Sequence, residues 1–374
     1  MRTTEPEEGP CAGCLSAGAD RGRHGMRMKA AVYYGPRDIR VEEIPEPAPG
    51  PTEAKIAIAA AGICGSDMHP YRGGSPELVD RMRGKILGHE MSGTVVEVGR
   101  EVTEVKVGDR VGVEPLVGCG RCLFCRSGRY HLCRELQHIG GTRPGGFAEY
   151  TVAPQSKLYK LPDSVSFSKG ALLDCLAVGV HAVHRVPPDI RHTVAIVGAG
   201  TIGLSILEVV RVTGATTVVV DRLSAPLKIA KDLGADHVIC SGEADPVEAL
   251  SALTGGRKAD IVYEAVGGSG GTFATSLNLV GRGGTVGVVG SFQRRLELPP
   301  WESLIREITI RFIWSYANWG ANPEFQIALG LLERGKLDAN ALITHRVPLE
   351  RIRDGFEVMD RKHETGAMKV LVIP

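Results

Sequence analysis

Four cysteines fall within fifteen residues, as Cys119-x2-Cys122-x2-Cys125-x7-Cys133. Thiolates at this spacing can close a tetrahedral shell around one ion and leave no open position, which is the ligand set of a structural zinc. An iron–sulfur cluster also takes four cysteines and is the competing reading. Arg121, Arg126, Arg129 and Arg134 lie around the run and are expected to help keep the thiols ionised. Nearer the N-terminus, Gly62-Ile63-Cys64-Gly65-Ser66-Asp67-Met68-His69 and Gly88-His89-Glu90 supply further ligand types. Cys64 alone reads as a small buried hydrophobe, and His89 alone as a satisfied turn residue. Beside a four-cysteine run, the zinc-ligand reading of both prevails. Asp174 stands in the apolar run Ala-Leu-Leu-Asp-Cys-Leu-Ala-Val, where a carboxylate is costly unless paired or bound to metal. Its competing reading is a helix cap.

A second chemistry is written at Thr193-Val194-Ala195-Ile196-Val197-Gly198-Ala199-Gly200-Thr201-Ile202-Gly203. A β-branched run enters G-x-G-x-x-G, and apolar residues then recur at helical spacing, predicting strand, tight turn and helix N-terminus. Gly198 makes the turn, Gly200 lets backbone approach a pyrophosphate, and Gly203 lets the helix pack on the strand. Thr201 and Ile202 open that helix, whose free N–H groups favour a phosphate. A second predicted strand, Thr216 to Val220, ends on Asp221, 18 residues beyond Gly203. A carboxylate there accepts from a ribose 2′-OH and repels a 2′-phosphate, which favours NAD over NADP. Arg222 beside it pulls the other way.

These residues need elements to hold them. From Ala30 to Val113 short strands alternate with Gly/Pro punctuation, predicting a β-rich, barrel-like domain. Ala171 to Arg185 reads as a helix carrying Asp174, His181 and His184. From His192 to about Val289 strands alternate with helical stretches such as Pro226–Leu233, predicting a doubly wound parallel sheet. A helix over Pro323 to Arg334 and a last strand through Met368–Ile373 are expected to return to the first domain. Residues 1–27 carry no apolar period and are expected to be disordered, Cys11-x2-Cys14 included.

Composition sets the outer limits. With 374 residues the chain suits two domains. Its 44 basic and 43 acidic side chains give no polyelectrolyte character, so neither nucleic acid nor a charged membrane surface is an expected partner. No stretch approaches the ~20 apolar residues of a membrane span, and no apolar signal core opens the chain. The expected location is the cytoplasm, where clustered cysteines bind metal rather than form disulfides.

In this order, the G-I-C-G-S-D-x-x-H and G-H-E motifs, the four-cysteine lobe and V-x-x-V-G-A-G-x-I-G resemble the zinc-containing medium-chain alcohol dehydrogenases. The likeness runs from Met28 to Pro374. The acidic Asp174 is similar to the polyol (sorbitol-type) and threonine dehydrogenases. The resemblance implies an α/β fold: a GroES-like, β-rich catalytic domain plus a doubly wound Rossmann coenzyme domain. The implied partition is 28–180 for the catalytic zinc domain with its lobe at 115–135, 181–316 for the coenzyme domain, and 317–374 completing the first. It implies a catalytic zinc on Cys64 and His89, with Glu90 or Asp174 supplying the remaining ligand. It also implies a structural zinc on the cysteine lobe, a proton relay through Ser66 and His69, and Asp67 beside the ligands. NAD is the implied coenzyme. One departure stands out. Sorbitol-type enzymes carry F-R-Y-x-N where this chain has Trp314-Ser315-Tyr316-Ala317-Asn318, so the arginine that grips polyol hydroxyls is a serine here.

The resulting expectation is hydride transfer from a secondary alcohol, polyol or cyclitol to NAD, giving the ketone. A threonine-type amino-alcohol dehydrogenase is the alternative within enzymes. A non-catalytic zinc and NAD sensor or scaffold is the alternative outside them, disfavoured because a scaffold needs neither an open zinc nor a relay. A homodimer or homotetramer joined near Val286 to Ile313 is expected by analogy.

Overall fold

The computed structural model describes residues 25–268, 271–292 and 294–374; the expected disorder of the N-terminal segment and its Cys11-x2-Cys14 fall outside them, except for residues 25–27. Arg27 already opens a strand, Arg27–Gly35, so ordered structure begins at the edge of that segment.

The coenzyme-type half is a six-stranded, all-parallel sheet. In spatial order its strands are His237–Cys240, Thr216–Asp221, Thr193–Val197, Ala259–Glu264, Val280–Val288 and Thr309–Phe312. Numbered along the chain this is 3-2-1-4-5-6, the doubly wound order, and its reversal falls at the carboxyl end of Thr193–Val197. The middle strands are apolar on both faces because helices cover both, as in Val194–Val197, which is buried throughout.

The other half is built on a sheet running Leu158–Lys160, Arg110–Val113, Glu90–Val98, Glu53–Ile63, Lys369–Ile373 and Ile343–Pro348, with Tyr150–Pro154 also on Glu53–Ile63. The last strand of the chain lies antiparallel to Glu53–Ile63, with Leu371 opposite Gly62. That pairing brings the C-terminus to the cysteine and histidine motifs. Two helices, Gly65–Tyr71 and Pro76–Met82, interrupt the expected all-β stretch. The second has clear local causes: Ser75 caps it by accepting from the Leu78 amide, and Pro76 opens it.

The helix expected over Ala171 to Arg185 is two, Phe167–Ala171 and Leu173–Arg185, jointed at Leu172. Leu172 is the cap residue, so Asp174 sits in the first turn and its carboxylate is not the cap. This helix crosses Thr201–Val212 tightly. A Cβ on Gly179 would lie 2.6 Å from the Ser205 carbonyl oxygen, so only glycine permits the approach.

Inside Thr201–Val212, Glu208 is buried; its Oε1 accepts from the Asp338 amide and its Oε2 has no partner. Burial pushes its carboxyl up to about 7. Its folded pKa therefore exceeds the ~4.3 of an unfolded chain, so the stability it contributes is full below that value and lost as pH rises towards 7. Glu208→Gln keeps the acceptor for Asp338 and removes the charge. It is expected to stabilise the protein at pH 8 by up to about 3 kcal/mol and to have little effect near pH 4. Urea unfolding at both pH values is the check; equal shifts at both would sink the assignment.

Candidate active site and metal centres

Cys64, His89 and Glu90 meet at the joint of the β-rich half, with one ligand atom of each lying within 4.8 Å of the others. Local structure sets each in place. Cys64 precedes the helix Gly65–Tyr71, and its backbone N–H donates to Asp67 Oδ2 at 2.9 Å. The other Asp67 oxygen lies 3.7 Å from His89 Nδ1. His89 follows Gly88, whose φ of +86° and close approach to the Phe147 ring leave no room for a Cβ. Glu90 begins the strand Glu90–Val98 and is fully buried.

The electrostatics of this cluster call for a cation. Burial lowers the His89 pKa, but the charges of Cys64 and Asp67 raise it by more, leaving it well above the ordinary histidine range. Burial pushes Asp67 up, and it pushes Asp174 up to about 6. Asp174 acts electrostatically on His89 but stands outside the close trio. Its Oδ1 accepts a 2.6 Å hydrogen bond from the Tyr316 hydroxyl. A thiol, an imidazole and several buried carboxylates fit a divalent zinc by donor chemistry.

Lys369, not foreseen from the sequence, complicates the choice between the two carboxylates. Its ammonium donates to both oxygens of Glu90, at 2.6 and 2.5 Å, and to the Ile63 carbonyl. Glu90 is therefore already neutralised, whereas Asp174 is engaged by a neutral phenol.

Ser66 is exposed on the first turn of Gly65–Tyr71, and His69 lies three residues on, half-buried. That spacing puts both on one helix face. Burial, then Arg72, lowers the His69 pKa, which favours a neutral ring able to pass a proton.

The four cysteines also converge. The sulfurs of Cys119, Cys122, Cys125 and Cys133 lie within 4.8 Å of one another, with Cys119 and Cys125 at 4.0 Å. Tetrahedral zinc thiolates stand roughly 3.8 Å apart at a ~2.3 Å bond length, so the lobe fits one ion and is too tight for a multi-iron cluster. The arginines do less than expected. Backbone N–H groups of Arg121 and Cys122 lower the Cys119 thiol to about 7, while burial raises Cys125 to about 12. Arg121 pairs with Glu135 instead, and Arg129 lies over the Phe124 ring.

The dinucleotide motif takes the expected form. Gly198 has φ +102°, and a Cβ on Gly203 would stand 1.8 Å from the Gly198 carbonyl. A Cβ on Gly200 would meet nothing within 4 Å, so that backbone faces open space where a pyrophosphate can approach. Asp221 is fixed by two amides, Ala199 N–H at 2.8 Å and Leu223 N–H at 2.9 Å. Arg222 is exposed, and Ile202 packs on the core. Thr201 uses its hydroxyl on the Met368 carbonyl at 3.2 Å. Met368 precedes Lys369, so the phosphate-binding turn and the Cys64–His89–Glu90 cluster are joined through two consecutive residues.

Known proteins resemble this chain in sequence and fold. A family model for the alcohol dehydrogenase GroES-like domain matches residues 50–163, and one for the zinc-binding dehydrogenases matches residues 201–334. The sorbitol dehydrogenase of Bacillus subtilis (strain 168) is 36% identical over 356 residues, covering 93% of this chain and 98% of the relative. The chain is a zinc-containing medium-chain alcohol dehydrogenase of the polyol branch. It is an oxidoreductase that uses zinc and a nicotinamide coenzyme. An L-idonate 5-dehydrogenase of Vitis vinifera is 35% identical over 346 residues, covering 90% of this dehydrogenase and 93% of the relative. Among solved structures, 2R,3R-butanediol dehydrogenase from Bacillus subtilis superposes with a TM-score of 0.82 at 32% identity, covering 93% of this chain and 99% of that one. Among the described residues no helix is long and apolar enough to cross a membrane.

Proposed function

We propose that this dehydrogenase oxidises a secondary hydroxyl of a small, sparsely hydroxylated alcohol to the ketone, with NAD as acceptor. The observation that carries the reading is the connection of the coenzyme turn to the metal cluster through Thr201, Met368 and Lys369. Cys64, His89 and Asp174 would hold the catalytic zinc, with Lys369 keeping Glu90 from competing for it. Zinc in that position supplies the Lewis acidity that brings an alcohol pKa towards neutrality. The cysteine lobe holds the second ion, which is structural. Gly198, Gly200, Thr201 and Gly203 bind the pyrophosphate, and Asp221, pre-set by two amides, takes the ribose diol. A nicotinamide held there would supply the hydride acceptor. Asp67 orients Cys64 and His89, while Ser66 and His69 carry the alcohol proton to solvent.

The substrate side rests on the segment Trp314–Asn318. Tyr316 is fully buried and committed to Asp174, so it does not face a ligand. Ser315, at φ +57°, replaces a multidentate donor with one hydroxyl, and Trp314 adds exposed apolar surface. Loss of several hydrogen bonds weakens recognition of a linear hexitol more than that of an alcohol with fewer hydroxyls. A threonine-type activity has no observation of its own in its favour.

The partition at 28–180, 181–316 and 317–374 remains our proposal, supported by the pairing of Lys369–Ile373 with Glu53–Ile63. We further propose a homodimer or homotetramer in the cytoplasm. The edge strand Thr309–Phe312 and the preceding helix Pro300–Ile305 carry exposed Trp301, Leu304 and Phe312, a surface suited to a second copy.

NADH formation with zinc-loaded protein and a panel of butanediols, cyclitols, linear hexitols and threonine tests the function, with NADP run in parallel. Fastest turnover on hexitols would overturn the substrate reading, and equal use of NADP would overturn the role of Asp221. Ser66→Ala is expected to lower kcat about 10- to 100-fold with NAD affinity unchanged. An unchanged kcat would remove Ser66 from the relay.

A further inference from the structure

A third group of ligating side chains lies away from both zinc sites. His181 and His184 stand three residues apart on the helix Leu173–Arg185, on one face. Both aim Nδ1 at Glu324, at 2.7 Å to Oε2 and 2.6 Å to Oε1. One ligand atom from each of the three lies within 4.8 Å of the others. Glu324 opens the helix Glu324–Glu333 and is fully buried. Its ion-pair partners among the described residues are these two histidines, with the Ala317 amide as a further donor. Two imidazoles and a buried carboxylate converging at hydrogen-bond distance are a donor set that a dication can take over in place of the shared protons.

A second observation points to the same place. His131 is only 8% exposed, and its Nδ1 has no hydrogen-bond partner. Its ring stands edge-on to His181, with centroids 5.1 Å apart. The unpaired nitrogen belongs to the ring next to His181, where an ion held by the trio would offer it a partner. His184 is half-buried and stacks on Trp319 at 4.3 Å, which leaves a route from solvent.

We propose that His181, His184 and Glu324 form a third metal site for a divalent transition ion, zinc by default, with the adjacent His131 ring turning in to complete the shell. Two or three imidazoles with one carboxylate suit zinc and its neighbours. Ligand atoms around tetrahedral zinc stand roughly 3.3 Å apart at ~2.0 Å bonds, so the three need spread by about half an ångström to admit the ion. The site joins three separate pieces of chain. His131 lies between Cys125 and Cys133 of the structural lobe, and the two histidines share a helix with Asp174. Glu324 holds the Ala317 amide, one residue past Tyr316. An ion there clamps the lobe and the Trp314–Asn318 segment to the helix that carries the Asp174 ligand. It does no chemistry on substrate.

The test is metal content of the full-length protein after equilibration with buffered free zinc. Three zinc ions per chain are expected, falling to two in His184→Gln and in Glu324→Gln. Two per chain in the wild type, or three retained in both variants, would overturn the proposal. Because the variants alter a buried network, a second measurement uses the wild type alone. Zinc-loaded protein treated with chelator until one ion has left is refilled with Co2+. Both other sites contain thiolates, at Cys64 and in the four-cysteine lobe, and so does the Cys11-x2-Cys14 pair outside the described residues. Cobalt at the proposed site would give visible d–d bands with no sulfur-to-cobalt charge-transfer band in the near ultraviolet. A third equivalent that carries the sulfur band would refute the assignment while leaving the catalytic reading intact.

Discussion

His89→Ala is expected to lower kcat/KM by about four orders of magnitude and to release the catalytic zinc while the cysteine lobe stays loaded. A factor of ~10^4 corresponds to roughly 5–6 kcal/mol of transition-state stabilisation, the scale of a Lewis acid that activates an alcohol at neutral pH. Bound to a metal, His89 would be the one donor of the cluster that brings no negative charge. Its neighbours Cys64, Asp67, Glu90 and Asp174 are acids, and only Glu90 has a fixed cation, Lys369. Without the imidazole the remaining donors are mutually repulsive, so zinc affinity falls along with activity. NADH binding should be nearly unchanged, because Gly198, Gly200, Gly203 and Asp221 belong to the other half of the chain. Zinc content, NADH fluorescence titration and steady-state kinetics on one preparation separate these effects. Loss of activity with zinc fully retained would mean that His89 is not a ligand, and loss of NADH binding would point to misfolding.

What the sequence made legible was chemistry held in short stretches. The four cysteines lie within one lobe, and G-x-G-x-x-G with Asp221 spans a single strand–helix–strand unit. Motifs of this kind fix their own geometry, since one turn or one helix sets every distance. The parallel sheet followed from alternation, because parallel strands need crossovers, but its strand order did not, since that is set by long-range pairing. The pairs that tune the site stayed hidden because each joins distant segments. Tyr316 reaches Asp174 across 142 residues and Lys369 reaches Glu90 across 279. His181 and His184 were visible on their helix, but nothing local marks Glu324 as the carboxylate between them. The joint at Leu172 was equally hidden: Ala-Leu-Leu-Asp reads as continuous helix, and tertiary packing breaks it. The lowered Cys119 thiol comes from backbone N–H groups, which composition does not report, whereas the nearby arginines were conspicuous and largely irrelevant to it.

Lys369→Met is expected to cost about 3–5 kcal/mol of stability, the penalty for leaving one member of a buried ion pair alone. Lys369 is 2% exposed and Glu90 0%, so water screens neither. Burial lowers the Lys369 pKa, but Glu90 foremost, with Cys64 and Cys175, raises it by more and leaves it above the ordinary lysine range. A raised lysine contributes stability that is full below the unfolded value of ~10.4 and is lost only above it, so the penalty should be constant from pH 6 to 9. In the double variant, Glu90→Gln with Lys369→Met, the costs should fall short of their sum by about 1–3 kcal/mol, because neither member then faces a vacated charge. The pair also has a functional side. Glu90 lies in the same close cluster as Cys64 and His89, and it is the ammonium that occupies both its oxygens. Once released, the carboxylate has the metal as its nearest cation, so zinc should leave Lys369→Met more slowly under chelator than it leaves the wild type. Turnover should fall in parallel, since an added ligand fills the position that substrate needs. A stability cost below 1 kcal/mol would show that the pair is not formed in the folded enzyme. A normal cost with unchanged chelator kinetics would show that Lys369 serves the fold and has no hold over the metal.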